Sequence, residues 1–400
     1  MSVALAINAH RQGVQAYPAD LVAIQSLAAH AAAQREISAW PGFASTPLHD
    51  LRQLAASCGL GAIWYKDEGG RFGLGSFKAL GGAYAVFRQL QRVIAEKLAC
   101  RPDEISSTDL LQGRYRDIAA GLTVTCATDG NHGRSVAWGA SLFGCACVIY
   151  VHALVSEGRA QAIAAYGARV VRTAGNYDDS VRHAQQDADA NGWVVISDTS
   201  YPGYRDIPRD VMQGYSVMAA EAIAQCPAAP THVFVQGGVG GLAAAMLAYL
   251  WESAPQARPV FVVVEPDRAA CLFESAKAGR PVAIHGDLDT IMAGLACGEV
   301  SLIAWDILSA GADAFMTIGD ETAKDMMRQL AGGDPAVVAG ESAVAGLAGA
   351  LLARRNPDWT AALKLDASSR VLVFGSEGAT DPAVYEQIVG RSPAAVLKGR

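Results

Sequence analysis

His232-Val233-Phe234-Val235-Gln236-Gly237-Gly238-Val239-Gly240-Gly241-Leu242-Ala243 is the stretch that decides the fold. A Val-Phe-Val run suited to a buried strand leads into a glycine cluster and then a Leu-Ala helical pattern. Strand, tight turn and helix therefore follow in that order. Glycines let the backbone come close to an anion, and the free N–H groups and dipole of the helix start favour a phosphate there. The run is not a P-loop, because no Lys-Ser/Thr pair ends it. Gly238 to Ala243 also fits G-x-G-x-x-A, and Glu265 ends the next strand at about the spacing of a ribose-binding carboxylate. The stretch predicts phosphate binding and leaves open a dinucleotide or a single-phosphate cofactor. Against the dinucleotide stands its place past the chain midpoint, since such fingerprints usually lie on the first strand of their domain.

Outward from this stretch, strand-like runs alternate with Ala-rich helical patterns. Strands are expected at 123–127, 147–151, 169–171, 193–196, 260–264 and 370–374, with helices over 132–143 and 157–166. Strands spaced by helices imply βαβ units with right-handed crossovers, hence an α/β protein with mostly parallel sheets flanked by helices. Two sheet systems are expected, one around 85–200 and one using strands near 232, 260 and 371. That gives a large domain of residues 1–84 and 205–400, with a smaller domain, 85–204, inserted in it. The polar segment 98–117 reads as a loop insertion, and 284–296 as an ordered loop. Residues 1–40 carry no chemical signal and are expected to form an arm on the large domain.

Composition narrows the function classes. Of the 400 residues, 51% are hydrophobic and 18% charged, enough apolar mass for large cores and too much for disorder. A formal net charge of −7 with scattered Arg and Lys supplies no basic stripe for nucleic acid. No run approaches the roughly 18 apolar residues of a membrane span. Met1 to Asn8 lacks the basic start and cleavage site of a signal peptide. The eight cysteines include no C-x-x-C pair, so no metal is expected, and a reducing cytoplasm is the default compartment.

A lysine settles the cofactor. Lys78 stands in Arg71-Phe72-Gly73-Leu74-Gly75-Ser76-Phe77-Lys78-Ala79-Leu80-Gly81-Gly82, between an aromatic residue and a Gly-rich helix start. Partial desolvation there lowers an amine's pKa and makes it a better carbonyl nucleophile. Ser76-Phe77-Lys78, Asn131-His132-Gly133 and Gly237-Gly238-Val239-Gly240-Gly241, in that order, resemble the fold type II family of pyridoxal-phosphate (PLP) enzymes. That family includes threonine dehydratases, cysteine synthases and the tryptophan synthase β chain. The resemblance spans about 60 to 381 and implies a two-domain enzyme, expected as a homodimer. It implies that Lys78, next to Phe77, forms the Schiff base with pyridoxal 5'-phosphate. Gly237, Gly238, Val239, Gly240 and Gly241 would hold the phosphate, and Asn131 the phenolic oxygen. Ser376, in Gly375-Ser376-Glu377-Gly378, would face the pyridine nitrogen.

Within the family the informative departure is Thr128-Asp129-Gly130-Asn131-His132-Gly133. A carboxylate at Asp129 would repel the substrate carboxylate that this loop binds, unless the substrate also brings a positive charge. Asp198, just after a strand, is a second carboxylate at a position where α/β sites collect residues. With Met292-Ala293-Gly294-Leu295-Ala296-Cys297-Gly298-Glu299, these segments resemble the diaminopropionate ammonia-lyase branch. The resemblance implies removal of the α-proton, loss of ammonia from Cβ, and hydrolysis to pyruvate and a second ammonia. Lys78 would be the base on one face and Asp129 on the other, so that both D and L isomers react. Asp198 would hold the distal ammonium, and Thr128 and His132 would contact substrate. Two alternatives stand beside it, a threonine or serine dehydratase and, from the glycine turn alone, a nicotinamide-dependent oxidoreductase. Cys271 and Cys297 fall in matching segments, and a disulfide between them is an open question at this point.

Overall fold

The computed structural model describes residues 3–13, 16–128 and 130–398. Eleven strands are formed among the described residues: β1 (Ala4–Ile7), β2 (Leu48–Asp50), β3 (Ala62–Asp67), β4 (Thr123–Ala127), β5 (Ala146–Val151), β6 (Arg169–Arg172), β7 (Val194–Val195), β8 (His232–Gln236), β9 (Val260–Pro266), β10 (Ala314–Ile318) and β11 (Arg370–Gly375). They make a seven-stranded sheet, β1-β10-β9-β8-β11-β3-β2, and a four-stranded sheet, β6-β5-β4-β7. The central strands pair in parallel, as βαβ connectivity requires. The two edge strands of the larger sheet, β1 and β2, are antiparallel.

The chain divides into two compact units. One holds the described residues of Met1–Leu27, Ser45–Ser76 and Met218–Arg400, and the other those of Ala28–Ala44 and Phe77–Val217. The boundary differs from the sequence expectation of 85–204, and packing explains it. Helix Lys78–Leu98 lies against helix Asn131–Phe143 so closely that a Cβ on Gly82 would come 1.9 Å from Ser135 Oγ. A Cβ on Gly139 would come 2.7 Å from Ala83 Cα. Residues 77–84 are thereby part of the four-stranded unit's core, not of the larger unit.

In the seven-stranded unit every residue of β8 is buried, as in a parallel strand covered on both faces. Parallel register aligns Val371 with His232 and Gly375 with Asp67, so the segments after β8, β11 and β3 leave from one edge of the sheet. In the four-stranded unit Thr125 pairs with Val195, so the segments after β4 and β7 also leave from a common edge. That edge, the carboxyl ends of parallel strands, is where such sheets present reactive groups.

Other expectations need amending. Segment 98–117 is not a loop: it folds into short helices at Pro102–Glu104, Ser107–Leu111 and Arg116–Ala119. Ser106 caps the second through the N–H of Asp109, 3.1 Å away. The N-terminal stretch is not simply an arm, because Ala4–Ile7 is a strand hydrogen-bonded to β10. Among the described residues no helix is long and apolar enough to cross a membrane.

Candidate functional site

The candidate residues divide between the two units, and each set has its own geometry. In the four-stranded unit Phe77 is the residue before helix Lys78–Leu98, and Lys78 opens it. Lys78 Nζ donates to Asp198 Oδ2 at 2.5 Å, across 120 residues of sequence. Both side chains are 19% exposed, so the pair is shielded without being sealed. Burial alone would raise the Asp198 carboxyl, but the Lys78 ammonium, then His132, holds it far below the ordinary carboxylate range. The carboxylate is ionised.

His132 stands on the far side of that carboxylate, with Nδ1 3.9 Å from Asp198 Oδ2. Its Nε2 lies 2.8 Å from the carbonyl of Ile196, which makes Nε2 the protonated nitrogen and leaves Nδ1 as an acceptor. Nδ1 is buried and has no hydrogen-bond partner. Burial pulls the His132 pKa down, so the ring is neutral, the Asp198 charge notwithstanding. Tyr204 fixes the strand end that carries Asp198: its hydroxyl donates to Val195 O at 2.6 Å and accepts from Ser197 N at 3.0 Å.

The loop after β4 is partly defined. Thr128 Oγ1 accepts from the N–H groups of Gly130 and Gly133, each at 3.0 Å, and so caps the helix that Asn131 begins. Its oxygen is therefore spent on the helix start, and only its O–H remains to meet a ligand. Asp129 lies outside the described residues.

In the seven-stranded unit Gly237 to Gly240 connect β8 to helix Gly241–Ser253, as the sequence predicts. The cradle has no room for side chains. A Cβ at Gly238 would lie 3.2 Å from Gly294 O and from Cys297 Sγ. Gly240 has φ +99°, a left-handed conformation that glycine adopts freely. The N–H groups at the start of this helix have no carbonyl four residues before them, and a phosphate satisfies such groups. Ser376 Oγ accepts from Gln236 Nε2 at 2.5 Å, which keeps the serine's own proton available to a ring nitrogen. Gly378 N donates to Gly75 O at 2.9 Å, and Ser76 bridges Glu377, so this turn is tied to the segment leading into Phe77 and Lys78. The residues fit a phosphate-bearing pyridine cofactor.

They do not fit a dinucleotide. Glu265, the would-be ribose carboxylate, is fully buried and accepts from Leu272 N at 2.9 Å and Phe273 N at 2.6 Å. Both its oxygens cap helix Cys271–Ala278. Burial pushes its carboxyl up to about 8 despite those N–H groups. The structure contains no disulfide between Cys271 and Cys297.

Two neighbours of these residues escaped the sequence reading. Gln236 was visible as the polar residue ending an apolar strand. Tyr215, whose ring centroid lies 6.0 Å from Lys78 Nζ, was signalled only by a glycine, Gly214, inside a helical pattern.

The chain is similar to known pyridoxal-phosphate dependent enzymes over most of its length. Residues 39–376 match the model of a family described as pyridoxal-phosphate dependent enzyme. The chain is 41% identical over 368 residues to diaminopropionate ammonia-lyase of Salmonella typhimurium strain LT2, covering 88% of this chain and 90% of that protein. It superposes on the holo crystal structure of diaminopropionate ammonia-lyase from Escherichia coli with a TM-score of 0.87 and 36% identity, over 97% of each chain. The same Escherichia coli enzyme in complex with an aminoacrylate-PLP azomethine reaction intermediate gives a TM-score of 0.85 at 36% identity, again over 97% of each chain.

Proposed function

This chain belongs to the family of pyridoxal-phosphate dependent enzymes, with the type II fold, and on that premise we propose that it is a diaminopropionate ammonia-lyase. It would convert 2,3-diaminopropionate to pyruvate and two ammonia. The observation that carries the choice of substrate is the ionised Asp198 carboxylate 2.5 Å from Lys78 Nζ. Once Lys78 gives up its charge as a neutral amine, that shielded carboxylate needs another cation. The distal ammonium of a diamino acid supplies it. The hydroxyl of serine or threonine does not.

The cofactor, when bound, serves as the electron sink for the carbanion at Cα. The residues of this chain do the rest. Lys78 carries the cofactor and, as a free amine, takes the α-proton on one face. Asp129 is the base for the opposite face, which admits both D and L isomers. Asp198 orients the distal ammonium that leaves as ammonia, with the neutral His132 Nδ1 as a second acceptor beside it. Gly237, Gly238, Val239, Gly240 and Gly241 hold the phosphate, Asn131 the phenolic oxygen and Ser376 the ring nitrogen. Phe77 packs beside the lysine, and Thr128 gives its remaining O–H to the substrate carboxylate. A neutral serine at the ring nitrogen leaves that nitrogen unprotonated, which suits elimination. We extend the reading to a cytoplasmic homodimer, supported by the family resemblance.

The test is pyruvate release by the purified holoenzyme from diaminopropionate, serine and threonine. Diaminopropionate should exceed the hydroxy amino acids by at least about 100-fold in kcat/KM, about 2.7 kcal/mol of transition-state discrimination. Equal or better turnover of serine or threonine overturns the assignment.

A further inference from the structure

Helix Lys78–Leu98 meets the 206–217 part of helix Asp206–Gln225 at a pair of glycines. A Cβ on Gly214 would stand 2.1 Å from Leu80 O and 3.1 Å from Gly81 Cα. One on Gly81 would stand 2.7 Å from Val211 O. No side chain fits at either position, so the two backbones touch.

This contact fixes the next residue, Tyr215. Its ring fills the space above Gly81, where a Cβ would come within 2.3 Å of Cε1. Its centroid is 4.6 Å from that of Phe77, with the rings tilted by 56°. Lys78 Nζ lies 5.6 Å from the Phe77 centroid and 6.0 Å from the Tyr215 centroid, so the two rings form a floor under the amine. Tyr215 is 1% exposed, and its buried hydroxyl has the Lys78 side chain as its polar neighbour, without a hydrogen bond of ordinary geometry. Burial pushes the phenol's pKa well up; the nearby Lys78 charge opposes that rise and the Asp198 charge adds to it. The hydroxyl keeps its proton at physiological pH, and the Lys78 amine is the donor beside its lone pairs.

A purely hydrophobic floor would be better served by phenylalanine, because a buried hydroxyl without a partner costs free energy. An amine acting as a base has one lone pair to aim at the substrate and two N–H groups to be held. We propose that Tyr215 is a positioning residue for Lys78. Its hydroxyl oxygen accepts an N–H of the amine beside Asp198, keeps it once Asp198 has turned to the substrate's distal ammonium, and so directs the lone pair at the α-proton. The proton then passes from Cα to Nζ while the bonding electrons stay on the carbon, and the same oxygen holds the ammonium so formed. The proposal rests on Lys78 being the base of the reaction proposed above.

Tyr215→Phe keeps the ring and removes only the oxygen. Three readings on the purified protein test it. The kcat for L-diaminopropionate should fall about tenfold or more with KM within about twofold. The midpoint of the pH dependence with which the cofactor-free enzyme captures added pyridoxal phosphate should drop by about half a unit or more, because the Lys78 ammonium has lost an acceptor. Tm should stay level or rise, as expected for removal of a buried hydroxyl that makes no hydrogen bond of ordinary geometry in the resting enzyme. Unchanged kcat and midpoint would overturn the proposal, and so would a fall in Tm, which would show the hydroxyl to hold a structural bond. Lys78→Ala, measured alongside, separates the two readings: if it still captures the cofactor, Lys78 is not the anchoring lysine, whatever Tyr215→Phe does.

Discussion

Two lysines, twelve residues apart in sequence, sit in opposite electrostatic surroundings. Lys66 has a fully buried side chain, and Nζ donates to Thr46 O at 2.7 Å, Glu221 Oε2 at 2.8 Å and Gln225 Oε1 at 2.9 Å. Its three protons have three acceptors. Beside it the Arg71 guanidinium is clamped by two carboxylates, through Nε and Nη2 to Glu68 at 2.8 Å each and through Nη1 and Nη2 to Glu221 at 2.9 and 2.7 Å. Burial works against the Arg71 charge, but Glu68 and Glu221 more than offset it and raise its pKa. Around Lys78 the bookkeeping is left open: the Asp198 ion pair is partly exposed, and His132 Nδ1 and the Tyr215 hydroxyl are buried without a hydrogen bond of ordinary geometry. Evolution tolerates such unsatisfied atoms where a ligand completes them. The closed cluster holds a fold together, and the open one is built for chemistry.

That contrast can be broken in several ways. Lys78→Ala should remove the visible absorbance of the holoenzyme and lower turnover by about four orders of magnitude, the upper range for loss of a positioned base. Lys66→Met should leave the band in place, and a spectrum of each variant decides it. Glu221→Ala takes the carboxylate from buried Lys66 and leaves Arg71 with Glu68 alone, and removing one partner of a buried pair typically costs about 3–5 kcal/mol. Denaturant unfolding of the larger unit reads that loss, and a change below about 1 kcal/mol would mean that the cluster is not closed. Asp198→Asn should cost about 100-fold in kcat/KM on diaminopropionate, about 2.7 kcal/mol, with a smaller loss on serine. Equal losses on both substrates would deny Asp198 its part in selecting the diamino acid.

The smallest effect concerns pH and compares paired with unpaired carboxylates. Burial opposes ionisation of Glu221, yet Arg71 and Lys66 hold its pKa below the ordinary value of 4.5. Its contribution to stability is therefore complete above 4.5 and is lost as pH falls through the lowered value. Glu265, buried with N–H partners but no cation, runs the other way, raised from 4.5 to about 8. Between those values the folded state binds more protons than the unfolded one, so stability declines as pH rises and levels off above about 8. Glu265→Gln should flatten that part of a Tm-against-pH curve, and an unchanged slope would remove Glu265 as its source.

How much of this was legible in the sequence follows from the range of each interaction. The strand–turn–helix from His232 to Ala243 is local and could be read from neighbouring residue types, whereas the role expected of Lys78 came from the resemblance that Ser76-Phe77-Lys78 carries with two distant motifs. Ser106 and Asp109 were also local, a capping box inside a segment whose polarity suggested a loop. The short edge strands Ala4–Ile7 and Leu48–Asp50 gave no period-2 pattern long enough to register. The Arg71–Glu221 and Lys78–Asp198 pairs join positions 150 and 120 residues apart, and nothing in single-sequence periodicity encodes such contacts. Asp198 was nevertheless noticed, because a carboxylate after a predicted strand is suspicious by position. Its partner was not. The sequence suggested that Asp198 waits for the substrate's ammonium, whereas the structure shows it already holding that of Lys78.

Borohydride reduction of the holoenzyme, followed by proteolysis and mass mapping, tests the central claim most directly, since it locks the cofactor onto the lysine that carries it. The account predicts a phosphopyridoxyl group on Lys78, in the peptide containing Ser76-Phe77-Lys78, and none on Lys66. A label on Lys66 or on any other lysine would contradict it.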